Sequence, residues 1–570
     1  MKHTIGTGLW RRAIPAALAV GLVAGACSAN TSTDAGGDTG STSEDGGTKG
    51  PRPPVTLASD GTPKPGGTLR YALEAETTGF KPTSDRWSIV GVMMGLAVYD
   101  TMVARYEDGS PAPYLAESFE SSDDFKTWTF TMRDGVMFHD GTPLTAEAVA
   151  NVYNLHLKSP LTGAAITNVE SVTATGPLTV VFTMKEPWAA FPGVLTGQLG
   201  VIPSPGTLAD EQGGLKPVGT GPFQFVSWEP DKEFEASKYD GYWQKDAEGN
   251  ALPYLDTVIF QPTPENTQRL AGLKSGDFEM IHTTDQATIL EMRDLAAQGQ
   301  IQLVEDQGEA EEGFVMLNTS KPPFDDPKAR EILAYGIDTQ QVSDDGFLGV
   351  FPPASGPFSK SNDAYITPEE AGYPSYDLEK ARQLHEEYKA EHNGEPLKFS
   401  SIIPPVTEYQ QVAELIRQMG QPFGLEVEIK TEDQPTIVND LVTGNYESSG
   451  TASQGRILFT SPIPDGDYIF IASEPVIDGV SLNFARYDNP TLRQCLDDMR
   501  KTDDRAAWKT AGECVQKELA KSLQYIWLVE IRNAVVMQNN VHGFVDQTAP
   551  DGQALPDSPN PFYAQVWKKN

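Results

Sequence analysis

The segment Pro217–Trp228, which reads PVGTGPFQFVSW, places the strongest constraint on how this chain can fold. Gly219 and Gly221 allow backbone angles that other residues avoid, and Pro222 fixes a bend after them. The aromatic pattern that starts at Phe223 then predicts a buried strand. Because the segment lacks the Lys-Ser/Thr ending of a Walker loop, we interpret it as a turn through which the chain returns from an inserted lobe into its base domain.

The composition indicates an acidic globular protein. The chain has 570 residues, of which 39% are hydrophobic, and this length suffices for about three or four domain-sized units with real cores. The formal net charge is -36 at pH 7. A surface of this charge repels nucleic acid and anionic lipid headgroups, so we expect neither as a direct partner.

Residues 1–27 have the composition of a targeting segment. A positively charged region that includes Arg11 and Arg12 precedes a short apolar run, and Cys27 follows directly after Ala-Gly-Ala. The apolar run is short for a bilayer span. The pattern resembles a bacterial lipobox, with Ala24 where leucine is usual. We therefore predict lipidation of Cys27 after export by the Sec or the twin-arginine route, with simple secretion as the alternative.

The next segment, residues 28–65, consists of Gly, Ser, Thr, Asp and Pro with almost no large apolar side chains. Such a composition cannot bury enough surface to offset the entropy of ordering. We therefore predict a disordered tether between the anchor and the folded part of the chain.

The first predicted strand, Gly67–Leu73, is followed by a long loop. Loops at the carboxyl ends of strands carry binding groups in open α/β sheets. Glu74, Glu76 and Trp87 are therefore candidate ligand-binding residues, and an ordinary surface loop is the alternative.

The middle of the chain alternates between strand and helix patterns. Residues 99–218 form a lobe of predicted hairpins with one helix, which Thr145 caps. Further helices are predicted after Asp326, with Pro327 in the first turn, and after Asp377. Because helices and strands alternate here, we expect a second lobe with a mixed sheet.

No recognised catalytic or metal motif occurs in the sequence. His139-Asp140 has no second histidine at ligand spacing, which favours a structural role in a turn. His392 follows His385 by seven residues, whereas the H-E-x-x-H pattern of zinc proteases needs four. A G-x-S-x-G elbow and a paired-cysteine zinc pattern are also missing. We therefore predict no metal, no cofactor and no catalytic residue, and an envelope hydrolase is the least favoured hypothesis.

Besides Cys27, the sequence contains only Cys495 and Cys514. Exported chains oxidise, so we predict one local disulfide between two helices, worth about 3 kcal/mol in the loop-entropy model. Two buried thiols are the alternative.

Several segments resemble, in the expected order, the extracellular solute-binding proteins of family 5, which are the peptide and nickel receptors of ABC importers. The resemblance covers nearly everything after the tether, and the segment from Trp128 is its most specific part. The segments are GGTLRYAL from Gly66, VYDTMV from Val98, PAPYLAESFE from Pro111, WTFTMRDGVMFHDGTPLTAEAV from Trp128, VGTGPF from Val218, AREILAYGID from Ala329 and YDLEKARQL from Tyr376.

This resemblance implies an α/β fold of the periplasmic binding protein type II class, a Venus-flytrap of two lobes with an extra subdomain and mixed sheets. The base domain would comprise 66–99, 215–312 and 520–570, with an inserted subdomain at 100–214 and a second lobe at 313–519. Ligand would bind between the lobes and be enclosed by hinge closure. The partners would be a membrane permease and its separate ATPase. The receptor would be a monomer, held on the outer face of the bacterial cytoplasmic membrane through its lipid anchor alone.

The resemblance also implies ligand-binding residues in the second lobe. Peptide-binding members place an aromatic-x-x-Asp pattern before a turn rich in Asp, and that first Asp pairs with the α-amine of the ligand. Here Phe459 occupies the aromatic place and Pro462 the Asp place. Asp465 or Asp467 would substitute for the missing Asp, and Arg456 would bind a carboxylate. An ordinary loop role is the alternative for each of these residues.

A further segment, SLNFARYDNP from Ser481, resembles a family segment near the cleft and makes Asn483, Phe484 and Arg486 candidates. The hypothesis we favour is an import receptor for peptides or similar small polar solutes. Because Pro462 departs from the peptide-binding pattern, a receptor of the same fold for a nickel complex, an oligosaccharide or a siderophore is the alternative.

Overall fold

The computed structural model describes residues 61–569 except 86, 160–161, 307–311, 361, 406, 454–470, 472–480, 482 and 558–561. The strands of this part are β1 (Thr68–Leu73), β2 (Val103–Arg105), β3 (Pro111–Pro113), β4 (Ala116–Ser121), β5 (Thr127–Met132), β6 (Val169–Ala174), β7 (Thr179–Met184), β8 (Phe223–Glu229), β9 (Glu233–Lys238), β10 (Thr257–Pro262), β11 (Met280–Thr283), β12 (Gln302–Glu305), β13 (Glu312–Leu317), β14 (Lys398–Ile403), β15 (Glu426–Thr431), β16 (Ser448–Ser453), β17 (Tyr525–Glu530), β18 (Ala534–Met537), β19 (Val541–His542) and β20 (Trp567–Lys568). The helices are α1 (Ile89–Val98), α2 (Ala146–His156), α3 (Phe191–Val194), α4 (Pro205–Ala209), α5 (Asn266–Ser275), α6 (Gln286–Ala297), α7 (Pro327–Gly336), α8 (Thr339–Gln341), α9 (Pro368–Ala371), α10 (Leu378–Glu391), α11 (Thr407–Gly420), α12 (Gln434–Thr443), α13 (Pro490–Arg500) and α14 (Arg505–Ser522).

The largest sheet has seven strands in the order β12-β18-β11-β1-β10-β9-β8. Its central strand β1 runs parallel to β10 on one side and to β11 on the other. Tyr71 belongs to the core that α1 covers, whereas Ala72 belongs to the core that α5 and α6 cover. Because helices cover both faces, β1 is nearly continuously apolar, as expected for a parallel strand inside a sheet.

An antiparallel sheet with the order β4-β5-β7-β6 forms a separate layer with α2. Trp128, Phe130 and Met132 alternate into its core, as the sequence pattern predicts. The predicted cap of α2 is confirmed, since the Thr145 side chain accepts a hydrogen bond from the amide of Ala148.

A third sheet has five strands in the order β15-β14-β16-β13-β17. It is mixed, because β14 runs parallel to β15 and β16 while β13 runs antiparallel to both of its neighbours. The predicted starts of α7 and α10 are confirmed by the side-chain caps of Asp326 and Asp377. Cys495 on α13 and Cys514 on α14 are joined by a disulfide with a Cα–Cα distance of 5.8 Å.

Strand β17 belongs to the five-stranded sheet, where Trp527 pairs with Phe314 of β13. The chain therefore returns to the seven-stranded sheet only after Glu530, and the predicted base segment 520–570 divides between the two sheets. The sequence of β17 did not distinguish the sheets, because an entirely buried apolar strand fits either one.

The turn ahead of β8 packs against the end of α1. A Cβ atom at Gly219 would lie 2.1 Å from the carbonyl oxygen of Val98, and one at Gly221 would lie 2.5 Å from the Val98 carbonyl carbon. Only glycine allows this close approach. The strand that follows begins at Phe223, as predicted.

His139 holds this turn rather than a metal. Its Nε2 lies 2.9 Å from the carbonyl oxygen of Gly221, and its Nδ1 accepts a hydrogen bond from the amide of Gly219. Burial lowers the pKa of His139 to about 4, so the ring is neutral at pH 7. Over the described residues, no group of three or more His, Cys, Asp or Glu side chains is arranged to hold a metal ion. The helices in the same part of the chain are all too short or too polar to cross a membrane.

Candidate functional site

The seven-stranded and five-stranded sheets are joined by two crossings of the chain, from β12 to β13 and from β17 to β18. In the seven-stranded sheet, Glu305 at the end of β12 pairs with Ala534 at the start of β18. In the five-stranded sheet, Glu312 at the start of β13 pairs with Glu530 at the end of β17. The two crossings therefore leave one sheet side by side and enter the other side by side. We call the sheet edges that they connect the joined edges.

The joined edge of the seven-stranded sheet is the carboxyl end of its parallel strands. Thr283, the last residue of β11, pairs with Ala534, which starts the strand after the second crossing. Since β1 runs parallel to β11 with Ala72 opposite Ile281, Glu74 lies at the same edge. Ligands of open α/β sheets bind at the carboxyl ends of strands, which makes this edge the candidate site.

The joined edge of the five-stranded sheet is a carboxyl end as well. Ser453, the last residue of β16, pairs with Gly313 at the start of β13, next to the first crossing. Strands β14 and β15 run parallel to β16 and end at the same edge. The carboxyl ends of both sheets thus meet at one pair of crossings.

Glu74 presents a partly exposed carboxylate at the first joined edge. Both of its carboxylate oxygens lie near Nδ1 of His282, at 2.7 Å and 2.8 Å. The His282 side chain is fully buried, whereas 28% of the Glu74 side chain is exposed. Burial raises the pKa of Glu74, but the charge and hydrogen bond of His282, a backbone hydrogen bond and the charge of Arg269 together outweigh burial and lower the pKa below its usual value. Glu74 is therefore an anion at neutral pH.

Arg269 adds a buried cation beside this pair. Its Nη1 donates to the carbonyl oxygens of Thr263 and Pro264, which follow β10 at the same edge, at 2.6 Å and 2.9 Å. The residue is 4% exposed and interacts electrostatically with Glu74. Arg269 thus fixes the loop after β10 next to the loop after β1.

Two helices also begin at this edge, because α5 follows β10 and α6 follows β11. Asn266 links their first turns: its Nδ2 donates to the Thr288 hydroxyl at 2.6 Å, and its Oδ1 accepts from the Thr283 hydroxyl at 3.2 Å. Helix N-termini carry partial positive charge. The N-cap positions of these helices are themselves acidic, Glu265 and Asp285, and Asp285 accepts from the amide of Thr288.

Glu76 has a different role from Glu74. Its two carboxylate oxygens accept hydrogen bonds from the Trp228 indole at 3.1 Å and from the Asp231 amide at 2.9 Å. Both partners belong to the β8–β9 hairpin, whose turn lies at the same edge as Glu76. This carboxylate ties the hairpin turn to the loop after β1.

Trp87 lies in the core beneath the same loop. It is 1% exposed, stacks on Tyr99 with a centroid distance of 6.0 Å, and donates from its indole to the Gly79 carbonyl at 2.9 Å. A Cβ atom at Gly95 would lie 2.7 Å from its ring, so α1 packs directly on it. Trp87 supports the loop that carries Glu74.

The crossings themselves are held by a polar cluster. Asp306 and Asn533, one on each crossing, exchange a backbone hydrogen bond of 3.0 Å and a side-chain hydrogen bond of 2.8 Å. Arg532 donates to Glu530 at 3.0 Å. Burial raises the pKa of Glu530 to about 7, against the opposing effects of Arg532 and Lys360. These residues couple the two crossings.

The candidates Arg456, Phe459, Asp465 and Asp467 lie outside the described residues, as does Cys27. Ser453, three residues before Arg456, is at the joined edge of the five-stranded sheet. The roles of the four candidates stay predictions.

Asn483, Phe484 and Arg486 lie at the opposite edge of the five-stranded sheet. The carbonyl oxygen of Phe484 accepts from the Tyr446 hydroxyl at 2.6 Å, just before β16 begins. Nη2 of Arg486 donates to the Val442 carbonyl at 2.6 Å. The length of β16, about 17 Å, separates this edge from Ser453. The structure thus places Glu74 and Glu76 at one edge of the seven-stranded sheet, with Trp87 beneath their loop. It places the segment from Asn483 at the far edge of the five-stranded sheet.

Sequence reasoning did not select His282 or Arg269. Each is far from Glu74 along the chain, and His282 has a sequence separation of 208 from it. The available signal was positional, since His282 belongs to a strand and Arg269 to the helix after a strand in the same sheet. These positions predict a contact with Glu74 only when the order of the strands in the sheet is known.

The fold defines the class first: it is the fold of type II periplasmic binding proteins. The binding protein AgaA from A. tumefaciens R10, solved in complex with agropinic acid, superimposes with a TM-score of 0.73 at 22% identity, covering 88% of this chain and 99% of that one. The oligopeptide-binding protein AppA from Bacillus subtilis, solved with a nonapeptide, gives 0.70 at 20% identity, covering 89% and 100%.

The family follows from the sequence match. The model of bacterial extracellular solute-binding proteins, family 5 Middle, matches residues 110–465, and the chain belongs to this family. The glutathione-binding protein GsiB of Pectobacterium atrosepticum is 28% identical over 447 residues, which cover 75% of this chain and 82% of that protein. The predicted family and fold are therefore confirmed, and the chain is a solute-binding protein.

Proposed function

We propose that this chain is the substrate-binding component of an ABC importer and captures peptides or similar small polar solutes at the joined edges of its two large sheets. The observation that carries this proposal is the first joined edge, where the carboxylate of Glu74 lies beside Arg269 and the N-termini of α5 and α6. Small peptides carry an ammonium and a carboxylate group on one molecule. The partly exposed carboxylate of Glu74 suits the ammonium group, and the buried Arg269 lies behind it.

In this mechanism the receptor binds its ligand and closes around it, and no covalent bond is made or broken. The crossings from β12 to β13 and from β17 to β18 are the covalent links between the two sheets, so rotation of one sheet relative to the other would bring their carboxyl ends together or apart. A ligand that contacts both ends shifts the equilibrium toward the closed form by its differential affinity for that form. The hydrogen bonds between Asp306 and Asn533 keep the crossings together during this motion.

Relatives support the choice of solute. GsiB is named as a glutathione-binding protein, and AppA was solved with a nonapeptide, so both bind molecules with peptide bonds. Agropinic acid in AgaA is a small polar solute of another kind. A peptide-like solute is therefore the class that we carry over to this chain.

The remaining parts of the proposal concern partners and location. The loaded receptor delivers its solute to a membrane permease that a separate ATPase drives. Lipidation of Cys27 anchors the monomeric receptor to the outer face of the cytoplasmic membrane, with residues 28–65 as tether. No catalytic residue, cofactor or nucleic-acid partner forms part of this proposal.

The test is native mass spectrometry with ligand extraction, on the full chain purified without denaturation. We expect a co-purified mass that fragments as a peptide, or a mass shift on addition of a random mixture of di- to pentapeptides. A sugar or metal chelate in the site, with peptides failing to displace it, would overturn the peptide assignment while keeping the fold. Turnover of a peptide or ester that disappears on mutating Glu74 would overturn the binding-only mechanism.

A further inference from the structure

Glu74, His282 and Arg269 form the polar cluster at the first joined edge, and Glu74 is the most exposed of the three. Of the residues in hydrogen-bond or electrostatic contact there, His282 is 0% and Arg269 is 4% exposed, whereas 28% of the Glu74 side chain reaches solvent. A ligand that arrives at the carboxyl end of β1 thus meets this carboxylate before the groups behind it.

The carboxylate is held from behind and retains acceptor capacity in front. His282 approaches both oxygens through the single atom Nδ1. An ionised carboxylate offers about four acceptor positions, and the N–H of His282 and a backbone N–H fill only part of them, so acceptor capacity remains for a ligand. Because the imidazole is buried, it fixes the orientation of the carboxylate without competing for the exposed side.

Glu76, in the same loop, differs from Glu74 in its hydrogen bonds. Each of its oxygens already accepts from a donor of the β8–β9 hairpin. Glu74 and Glu76 are two residues apart and carry the same charge. His282 is the side chain that hydrogen-bonds Glu74, with a backbone N–H and the charge of Arg269 in addition, and part of the Glu74 side chain still reaches solvent. The two acids therefore have different uses.

Two buried donors or acceptors next to Glu74 add to this picture. Within the described part of the chain, neither Nε2 of His282 nor Nε of Arg269 has a hydrogen-bond partner. Unpartnered buried polar atoms also occur elsewhere in the described residues, for example at His156 and His385, so they do not mark a site by themselves. Beside Glu74 they lie behind a carboxylate that reaches solvent at the carboxyl end of β1.

We infer that Glu74 binds a cationic nitrogen of the ligand, either a primary ammonium or a guanidinium group, and that it selects ligands on this basis. This inference rests on the proposed function, and it names the chemical group of the ligand that the site recognises. Hydrogen bonds between a charged donor and a carboxylate are roughly twice as strong as neutral ones. A ligand without such a group leaves the carboxylate desolvated and unpaired on closure, so discrimination comes from that penalty as well.

The experiment is a competition on the full chain at about 0.15 M salt, where surface charges are screened beyond about 8 Å. One tube contains equal amounts of two random di- to pentapeptide mixtures: one with free N-termini, and one N-acetylated and made without Lys, Arg and His. Bound peptides are released and counted by mass spectrometry, and the ratio of cationic to non-cationic peptide is the readout. Because the two classes compete for the same folded molecules, partial unfolding of a variant does not change the ratio.

We expect the wild-type ratio to favour cationic peptides by about tenfold or more, which corresponds to about 1.4 kcal/mol or more. Glu74→Gln should bring the ratio close to one, and Glu74→Asp should restore part of it because the charge returns on a shorter stem. The control is Glu229→Gln, which removes the same charge from an exposed ion pair with Lys232 at the end of β8 and should keep the wild-type ratio.

Two results would contradict the inference, and they can be told apart. If Glu74→Gln captures peptides with the wild-type ratio, the role assigned to Glu74 is wrong and the proposed function stands. If the wild type captures neither mixture, the proposed peptide capture fails and this inference fails with it.

Discussion

The loop after β1 and the segment from Ser481 to Tyr487 both carry residues that the sequence makes ligand-binding candidates, and the structure places the two differently. In the first, Glu74 reaches solvent at the carboxyl end of a central parallel strand. In the second, Asn483 and Phe484 are 5% and 8% exposed. Asn483 donates to Tyr487 within the same turn, and the Phe484 carbonyl accepts from Tyr446, just before β16. We propose that position relative to the strand ends separates a segment that binds ligand from one that preserves the fold.

A substitution of Trp87 should have the largest effect on the free energy of unfolding. The loop of Trp87 carries the candidate site, whereas its ring lies in the hydrophobic core. We expect Trp87→Ala to lower the free energy of unfolding by about 3–5 kcal/mol, measured by urea denaturation, since a fully buried aromatic side chain leaves a cavity. Trp87→Phe should cost clearly less. An unchanged unfolding midpoint together with weaker peptide capture would move Trp87 from support into the binding site.

Asp100 sharpens the comparison through pH, because it is a buried carboxylate whose pKa shifts in the opposite direction from that of Glu74. It is 1% exposed and accepts from the Tyr242 hydroxyl at 2.9 Å and the Trp243 indole at 2.8 Å. Burial raises its pKa to about 7 from an ordinary value of 3.8, and these two hydrogen bonds oppose the rise only in part.

The sign of the effect follows from proton binding. Between about pH 4 and pH 7 the folded protein keeps the Asp100 proton and the unfolded chain loses it, so the free energy of unfolding falls as the pH rises. The full shift amounts to at most about 4 kcal/mol. We expect Asp100→Asn to remove this slope in urea titrations at pH 4, 5.5 and 7.5. Parallel pH profiles for wild type and variant would show that Asp100 titrates normally.

The elements that the sequence predicted well depend on local chemistry. Thr145, Asp326 and Asp377 cap helices because their side chains bond amides two or three residues ahead, and such contacts are written in consecutive residues. The turn before β8 was predictable for the same reason, since glycine and proline act on their own backbone.

What the sequence could not predict depends on strand order. Tyr525–Glu530 is apolar enough for either large sheet, and only its pairing with β13 decides the matter. His282 and Arg269 come to Glu74 through the pairing of β11 and β10 with β1. The candidate at the end of a strand was within reach of sequence reasoning, whereas the side chains that hold it were not.

Arg486 tests the structural side of the comparison. Its backbone has a φ of 56°, and its guanidinium donates to the Val442 carbonyl at 2.6 Å. We expect Arg486→Ala to lower the free energy of unfolding by about 1–3 kcal/mol, because a charged donor to a part-buried carbonyl is lost, with the cationic-to-non-cationic peptide ratio unchanged. The control, Arg417→Ala, breaks a surface ion pair with Glu414 and should cost less than about 1 kcal/mol.

Asn483 gives the smallest effect and the most direct way to break the comparison. Its Nδ2 donates to the Tyr487 carbonyl at 2.9 Å and closes the turn that carries Phe484 and Arg486. We expect Asn483→Ala to lower the free energy of unfolding by about 1 kcal/mol, since one neutral hydrogen bond is lost, and to leave peptide affinity as it is. A tenfold weaker affinity at an unchanged melting temperature would place this segment in contact with ligand. In that case the opposite edge of the five-stranded sheet would also bind, and strand-end position would no longer separate binding segments from structural ones.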